Sequence, residues 1–393
     1  MNTETVTRSF SWMEWLCAFG LFIGLNPYFT WQQSAFAIFP ILASMIPIYI
    51  AQKRRGGFIK DDLGFFFFFV LLFLWYDISK QGSVLGSAKS VTPALFLLIH
   101  PLIRKSALDC FVYKLLPIVL FISASAYILD GIGLIHLPTI PIVSYNESNG
   151  ALYFSHILYV QQGDIVGLSR FCSLFDEPGV VGTICSLVLF CYAKELPKWT
   201  LAVYIVSGIL SLSLFFFVMF TYLLVVGKMG FNVKSLFFVG IIVYVGAMIL
   251  INNVDSDYLQ LKVLSRLQIE DGSLVGDNRL VDGFSDYFWG TFVNSPDLLF
   301  GTKDTFNRAE GSSSILKEIY LHGLLFVLLS LAGYIRYFYR HKRSLKEFIL
   351  FLVFFIGLMY QRPYLWSFVY FVFFIICTDY RTDSSYDSSD NSR

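Results

Sequence analysis

The sequence predicts an all-α, polytopic membrane protein, and three observations lead to that fold class. First, 56% of the 393 residues are hydrophobic and only 15% are charged, whereas soluble domains are about 45–50% apolar and about 25% charged. Second, the apolar residues are gathered in runs long enough to cross a bilayer as helices. Third, clusters of lysine and arginine follow every second run.

We expect about twelve transmembrane helices from a span length of about 17–25 residues, with shorter runs accepted in a packed bundle. The seventh and eighth runs are alternatively one long helix through Ser211 and Ser213. The twelve runs are 10–27, 33–51, 63–76, 88–103, 111–130, 179–193, 199–212, 214–227, 235–251, 314–335, 347–360 and 364–378.

The positive charges favour twelve spans. With twelve, every basic cluster falls on one face, which the positive-inside rule makes cytoplasmic; merging the seventh and eighth runs would move Lys228 and Lys234 to the opposite face. Both termini are then cytoplasmic. Residues 1–381 are expected to form a single transmembrane domain, and 382–393 a polar cytoplasmic tail. The other clustered residues are Lys53, Arg54, Arg55, Lys60, Arg104, Lys105, Lys194, Lys198, Arg336, Arg340, Lys342, Arg343 and Lys346.

Two long loops, 131–178 and 252–313, fall on the outer face and exceed usual loop lengths several-fold. The first ends in Arg170, Asp176 and Glu177, an ionisable cluster that is costly at a membrane boundary unless it is functional or well paired. The planar donor fork of Arg170 suits phosphate, and Glu177 can act as a general base or orient a hydroxyl. The alternative is a helix start at Pro178, with acidic residues complementing the helix dipole.

The second outer loop carries Arg266 and Arg279 among several aspartates. We consider both arginines candidates for contact with an anionic substrate, and a solvated loop of mixed charge is the alternative. The loop ends in Ser312 and Ser313, which lead directly into the tenth span.

Three further polar residues lie near the outer ends of spans. Glu318 and His322 are four residues apart and share a helix face, although ordinary helix packing also accounts for His322. Arg362 breaks the positive-inside pattern; it is either a snorkelling side chain or a cation beside an anionic headgroup. The cysteines have no metal-ligand spacing, so we predict no metal site.

Together these segments resemble the O-antigen polymerase (Wzy) family, within the group of membrane proteins that also includes O-antigen ligases. The topological resemblance covers nearly the whole chain. The local resemblance is carried by Arg170-Phe171 through Asp176-Glu177-Pro178-Gly179, by Leu210-Ser211-Leu212-Ser213-Leu214, and by Ser312-Ser313 followed by Gly323.

The resemblance implies a GT-C-like glycosyltransferase of the bacterial inner membrane, with its active site facing the periplasm. Such enzymes join oligosaccharide units carried on undecaprenyl diphosphate, with inversion, so both donor and acceptor are lipid-linked. The implied partners are these substrates, membrane lipid and a chain-length regulator protein, without nucleic acid or cofactor. The expected catalytic residues are Glu177, Arg170, Arg279 and Asp176; the expected substrate-binding residues are Arg266, Ser312, Ser313, His322, Glu318 and Arg362.

Two other functions remain open. O-antigen ligases often show His-Asn near the position of Ser312-Ser313, so the serines here favour a polymerase. A transporter or flippase of lipid-linked oligosaccharide should place charges near span centres. In this chain the spans are almost free of charge, and the charges collect at the outer surface.

Overall fold

The computed structural model describes residues 10–31, 38–55, 62–79, 91–142, 152–163, 170–227, 269–270, 273–274, 281, 283–302, 314–363 and 367–379. These residues are mostly helical, which confirms the helical class predicted from the sequence. The helices are α1 (Trp12–Gly24), α2 (Ile38–Arg55), α3 (Leu63–Ser79), α4 (Pro101–Cys110), α5 (Leu116–Gly131), α6 (Pro178–Tyr192), α7 (Lys198–Leu210), α8 (Leu214–Val225), α9 (Phe284–Gly290), α10 (Asp297–Phe300), α11 (Ile315–His322), α12 (Leu324–Arg340), α13 (Leu345–Gln361) and α14 (Phe368–Thr378).

Within the described ranges, one helical stretch, 101–131, is long and apolar enough to cross a bilayer. A second is added when α11 and α12, which are bent by 118° at their junction, are counted as one span. Six shorter helices of 10–17 residues are also apolar: α1, α3, α6, α7, α8 and α14.

The fourth and fifth runs differ from their predicted boundaries. The sequence predicts spans 88–103 and 111–130 with a loop between them. Instead the helix is continuous from Pro101 to Gly131 through a π-helical segment, Phe111–Leu115, and the break lies at Ile99 and His100. Proline is favoured at the first position of a helix, because its missing N–H has no intrahelical partner there. Arg104 is therefore a helical residue and not part of a loop.

The tenth run is broken inside the predicted span 314–335. Gly323 has φ 90° and separates α11 from α12. A Cβ atom at Gly323 would lie 2.3 Å from the carbonyl oxygen of Leu299. Glycine is thus required here both for its backbone conformation and for the close approach of the chain next to α10.

The first outer loop contains a small sheet that the all-helical prediction does not include. Strands β1 (Ile140–Ile142), β2 (Leu152–Ser155) and β3 (Val160–Gly163) pair antiparallel in the order β1-β2-β3. The alternation of apolar and polar residues is too short here to be recognised from sequence alone. A two-stranded pair, β4 (Ile269–Glu270) and β5 (Ser273–Leu274), lies in the second outer loop.

The chain divides into two compact units. The first comprises Met1–Val119, Asp286–Arg308 and Ser313–Arg393, and the second comprises Leu120–Ser285 and Ala309–Ser312. The core of the first unit is strongly aromatic. Tyr334 lies at its centre, with ring centroids 5.0–5.8 Å from those of Phe69, Phe355, Phe371 and Phe374. In the second unit, α6 packs against both α7 and α8, and nearly every residue of α6 is buried.

A buried ionic network joins four helices or helix ends of the first unit. Nη2 of Arg104 lies 3.4 Å from Oδ2 of Asp62 and 3.0 Å from Oδ2 of Asp379, and all three side chains are fully buried. Nε2 of His341 lies 3.3 Å from the other oxygen of Asp62. The Tyr337 hydroxyl donates to Asp379 at 3.4 Å. Buried charges are tolerated only when paired in this way.

Candidate functional site

Arg170 contacts the turn between α7 and α8, in the second unit. Its Nε donates to the carbonyl oxygen of Ser211 at 3.2 Å, and its Nη2 donates to that of Leu212 at 3.3 Å. The backbone N–H of Phe171 donates to the carbonyl oxygen of Leu210 at 3.2 Å. The last carbonyls of a helix lack intrahelical donors, so Arg170 and Phe171 satisfy groups that α7 leaves unpaired.

The turn that receives Arg170 is tightly constrained. Leu212 has φ 47°, a left-handed conformation that is costly for a branched side chain. The N–H of Ser213 donates to Oγ of Ser211 at 3.3 Å. On α6, a Cβ atom at Gly182 would lie only 2.4 Å from Cβ of Ser213. The turn is therefore held directly against α6, and the seventh and eighth predicted runs form two helices.

The segment between Arg170 and α6 is anchored in the core of the second unit. Phe171 and Phe175 are fully buried, and the ring of Phe171 packs 5.4 Å from that of Tyr127. The carbonyl of Ser173, a residue with φ 53°, accepts a hydrogen bond from the N–H of Val160 at 2.6 Å. Because Val160 begins β3, this bond attaches the segment to the small sheet.

Asp176 and Glu177 are half-buried at the start of α6. Glu177 occupies the N-cap position with an extended backbone, and its side chain makes no capping hydrogen bond. Tyr153 on β2 is buried, and its pKa is raised first by burial and then by the charges of Asp176 and Glu177. The phenol therefore stays protonated at neutral pH and lies within electrostatic range of both carboxylates. The N-cap position of Glu177 is the one that the helix-start alternative predicts.

A second polar cluster of the same unit lies where α5 ends, and the sequence-based prediction missed it. The Tyr159 hydroxyl donates to Oδ2 of Asp130 at 2.6 Å, and Nδ1 of His156 lies 3.5 Å from the same oxygen. The His156 and Tyr159 rings stack with centroids 4.4 Å apart. Burial and the Asp130 hydrogen bond raise the pKa of Tyr159. A histidine and a tyrosine three residues apart in a loop were the only sequence signal.

Glu318 and His322 lie together in the first unit, as their spacing predicts. Nε2 of His322 is 3.5 Å from Oε2 of Glu318, and Nδ1 of His322 contacts Oγ of Ser79. The His322 side chain is fully buried, whereas 14% of the Glu318 side chain is exposed. Ser79 ends α3 and was not among the predicted site residues. No sequence signal links it to a histidine 243 positions later.

Arg362, another predicted site residue, belongs to the first unit. Arg362 is half-buried at the end of α13, where its N–H donates to the carbonyl of Leu358 at 2.7 Å. Arg266, Arg279, Ser312 and Ser313 lie outside the described residues.

Among the residues that the structure describes, no group of three or more histidine, cysteine, aspartate or glutamate side chains is placed to hold a metal ion. No protein-family model, curated protein or solved structure matches this chain. Within the described residues, the segment before α6 combines one guanidinium, held by two backbone carbonyls, with two half-buried carboxylates.

Proposed function

We propose that this chain polymerises oligosaccharide units linked to undecaprenyl diphosphate, by inverting glycosyl transfer at the periplasmic face of the bacterial inner membrane. One observation carries the proposal. Two of the three segments that resemble O-antigen polymerases, the one beginning at Arg170 and the one from Leu210 to Leu214, contact each other through three hydrogen bonds. Asp176 and Glu177 follow Arg170 in the same segment and directly precede α6, a buried helix.

The proposed reaction uses these groups as follows. The anomeric carbon of the donor sugar loses its bond to the lipid diphosphate and forms a bond to a hydroxyl oxygen of the acceptor unit. Fixed cations stabilise the charge that develops on the diphosphate; we assign Arg279 and Arg266 to this task. Glu177 takes the proton of the attacking hydroxyl, and Asp176 stands beside it.

The contacts of Arg170 refine its proposed role. A guanidinium has five N–H donors, and Nε and Nη2 are engaged with the α7–α8 turn. Arg170 thus fixes the position of its own segment and holds a permanent positive charge five to seven residues from Phe175, Asp176 and Glu177. We propose that this charge orients the substrate diphosphate and that the two backbone contacts hold the guanidinium in place.

The proposed topology has about twelve spans, with both termini in the cytoplasm. Helices of 10–17 residues extend only about 15–25 Å at 1.5 Å per residue, which is less than the roughly 30 Å of a hydrocarbon core. The number of spans therefore rests on the one-sided distribution of lysine and arginine and not on helix length.

Reporter fusions test this topology. We expect a reporter after Gly163 or after Asp277 to report the periplasm, and one after Lys342 or Asp383 to report the cytoplasm, because the basic clusters all fall on one face. The measurement is the ratio of alkaline phosphatase to green fluorescent protein activity at each fusion point. A cytoplasmic signal at Asp277 would overturn the span count and the periplasmic location of the site.

Substituting Arg170 tests the importance of its planar geometry. Arg170→Lys keeps the charge but cannot donate to Ser211 and Leu212 from two fixed nitrogens. We expect loss of most long-chain polysaccharide, on the order of 10²–10³ in rate for a lost contact in a preorganised site. Lys194→Arg, at the exposed end of α6, is the matched control and should be neutral. Wild-type polymer from Arg170→Lys at equal protein level would show that the arginine is peripheral.

A deletion strain separates the proposed polymerase from the two competing functions. Loss of a polymerase should leave single repeat units displayed on the cell surface. Loss of a ligase should leave polymer attached to its lipid carrier, and loss of a flippase should trap the units inside the cell. The surface polysaccharide profile on a gel, with complementation by the intact chain, distinguishes these outcomes.

A further inference from the structure

The hairpin between β2 and β3 exposes two large apolar side chains at its tip. Ile157 is 50% exposed and Leu158 is 39% exposed, whereas His156 and Tyr159, on either side of them, are buried. The whole hairpin belongs to the second unit. Glycine, proline, asparagine, aspartate and serine are the usual residues of tight turns, so two exposed aliphatic side chains here suit an apolar partner and not water.

The turn that presents these side chains is strained. Ile157 has φ 67°, and the N–H of Leu158 donates to the carbonyl oxygen of His156 at 2.7 Å, so the chain reverses over three residues. Three-residue turns with a positive φ are rare and strained, and a positive φ is an outlier for a β-branched residue. Such strain persists only where the surrounding structure imposes it, and it is concentrated at segments that bind or switch.

The tip of the hairpin is attached to the side of α5. Oγ of Ser123 donates to the carbonyl oxygen of Leu158 at 2.7 Å. Ser123 precedes the end of α5 at Gly131 by eight residues, which is about 12 Å along the helix axis. At the end of α5 itself, the Tyr159 hydroxyl donates to Asp130 at 2.6 Å. The hairpin therefore lies along α5, with a polar contact at the helix end and its apolar tip further back along the helix.

An apolar surface of α5 lies at the same level as this tip. Phe121 and Ile122 are exposed, and so is Leu129, which follows them by about two helix turns and shares their face. Within the described ranges, α5 is part of the one helical stretch, 101–131, that is long and apolar enough to cross a bilayer. Because the tip is bonded to Ser123, it is level with Phe121 and Ile122 and extends the apolar surface of this helix.

The backbone N–H groups of the tip have partners within the protein. The N–H of His156 donates to the carbonyl oxygen of Tyr159 at 2.8 Å. The N–H of Ile157 donates to Oγ of Ser155 at 3.1 Å. With the bond from the N–H of Leu158, three consecutive N–H groups are satisfied. Water can satisfy such groups in an exposed loop, whereas in lipid each of them needs a partner in the protein. The tip meets that requirement.

The charge of the surrounding segment favours acyl chains over lipid headgroups as the partner. Between Lys114 and Arg170 the sequence contains no lysine or arginine. Surfaces that bind anionic headgroups or lipid phosphates use clusters of these two residues. Attachment of this segment to a membrane must therefore come from apolar contact. The absence of basic residues also agrees with the outer face in the proposed topology.

We propose that the tip of the β2–β3 hairpin inserts among the acyl chains of the outer leaflet, beside α5; this rests on the topology of the proposed function. The occupant of the surface is the bilayer lipid itself. Ile157 and Leu158 are buried in the leaflet, and Ser123 keeps them beside the helix. Tyr159 and Asp130 mark the level of the membrane interface, where tyrosine is enriched. The insertion holds the loop that leads to Arg170 against the membrane surface.

Spin labels on the full chain in lipid nanodiscs test the insertion. The discs contain phosphatidylcholine without polyprenyl lipid, and a nitroxide is attached at Ile157→Cys. Oxygen is concentrated in hydrocarbon and a polar nickel chelate in water. We expect an oxygen-to-chelate collision ratio several-fold higher than at Glu195→Cys, an exposed position after α6 in the same unit. Equal ratios at the two positions overturn the proposal. The unsubstituted chain, whose described free cysteines are buried, gives the background labelling.

A label at Phe121→Cys separates failure of the insertion from failure of the topology. An aqueous ratio at Phe121 overturns α5 as a span, and the insertion with it. A lipid ratio at Phe121 with an aqueous ratio at Ile157 overturns the insertion alone. Exclusion of both reagents from Ile157 means that a second copy of the chain covers the tip. A lipid ratio that appears only after undecaprenyl phosphate is added means that the polyprenyl chain covers it. Both of these results overturn the proposal.

Ser123→Ala measures how the tip is held. The carbonyl of Leu158 loses its donor in this variant, and an unpaired carbonyl is costly in lipid. We therefore expect the ratio at Ile157→Cys to fall toward that of Glu195→Cys. Ser125→Ala, a half-buried position on the same helix, is the matched control and should leave the ratio unchanged. The same ratio in both alanine variants overturns the role of Ser123 in holding the tip.

Discussion

Glu177→Gln is expected to abolish long-chain polysaccharide while the amount of protein in the membrane stays at the wild-type level. The substitution preserves size and hydrogen bonding but removes basicity, so the proposed proton acceptor of the attacking hydroxyl is lost. A positioned base typically contributes about 10²–10⁴-fold to a rate. Burial, followed by the charges of Asp176 and Glu177, raises the pKa of the Tyr153 hydroxyl on β2, so both carboxylates lie within electrostatic range of that phenol.

Asp176→Asn is the internal control for this prediction. Adjacent residues at the start of a helix point about 100° apart, so Asp176 and Glu177 should not both meet the same hydroxyl, and the Asp176 variant should retain polymer. If Glu177 only complements the dipole of α6, its substitution costs about 0.3–1 kcal/mol of local stability and leaves polymer length unchanged. Extension of lipid-linked units by purified Glu177→Gln at the wild-type rate would remove this carboxylate from the mechanism.

The helical part of the fold could be predicted because it depends on local patterns. Runs of apolar residues give the helices α1, α3, α6, α7, α8 and α14 close to their predicted limits. Pro178 marks a predicted helix start for a local reason, since proline lacks the N–H that the first turn cannot use. Pro101 begins a helix in the same way but fell inside the predicted span 88–103. The break at Gly323 was not predicted, because it depends on close contact with Leu299, a residue 24 positions earlier.

Candidate site residues could be chosen from the sequence, but their contacts in the structure could not. Arg170, Asp176, Glu177, Glu318 and His322 carry ionisable groups near predicted outer ends of spans, and such groups are rarely retained without use or pairing. Their partners were not predictable. The Ser211 and Leu212 carbonyls lie 41 and 42 residues from Arg170, and backbone acceptors leave no trace in composition.

Arg104 forms ion pairs that the positive-inside rule does not take into account. The positive-inside rule counts Arg104 as a free cytoplasmic charge, yet its guanidinium lies between two carboxylates in the interior of the first unit. Asp62 and Asp379 are 42 and 275 residues away in sequence. The predicted topology does not depend on Arg104 alone, because Lys105 and the other basic clusters predict the same cytoplasmic face.

Arg104→Met is expected to destabilise the protein by about 3–5 kcal/mol, because removing one partner of a buried ion pair leaves uncompensated charge in the interior. Asp62 and Asp379 would both lose their cation, with His341 as the remaining neighbour of Asp62. For a chain of this size the apparent melting temperature should fall by roughly 5–10 °C. Thermal denaturation of the purified protein in detergent measures this shift.

Lys105→Met is the matched control at the neighbouring position. Lys105 pairs with Asp109 at 2.9 Å within one helix turn, and the two side chains are 22% and 9% exposed, so its loss leaves one partly shielded carboxylate and should cost less than Arg104→Met, which leaves two fully buried ones. Removing all three charges of the network, with Asp62→Asn and Asp379→Asn added to Arg104→Met, should recover part of the stability that the single change loses, since no buried charge is then left unpaired. Equal melting temperatures for Arg104→Met and Lys105→Met would mean that the network contributes no net stability. In that case the four helix ends must be held by the surrounding aromatic core alone, in which Phe65 packs 5.1 Å from Tyr337.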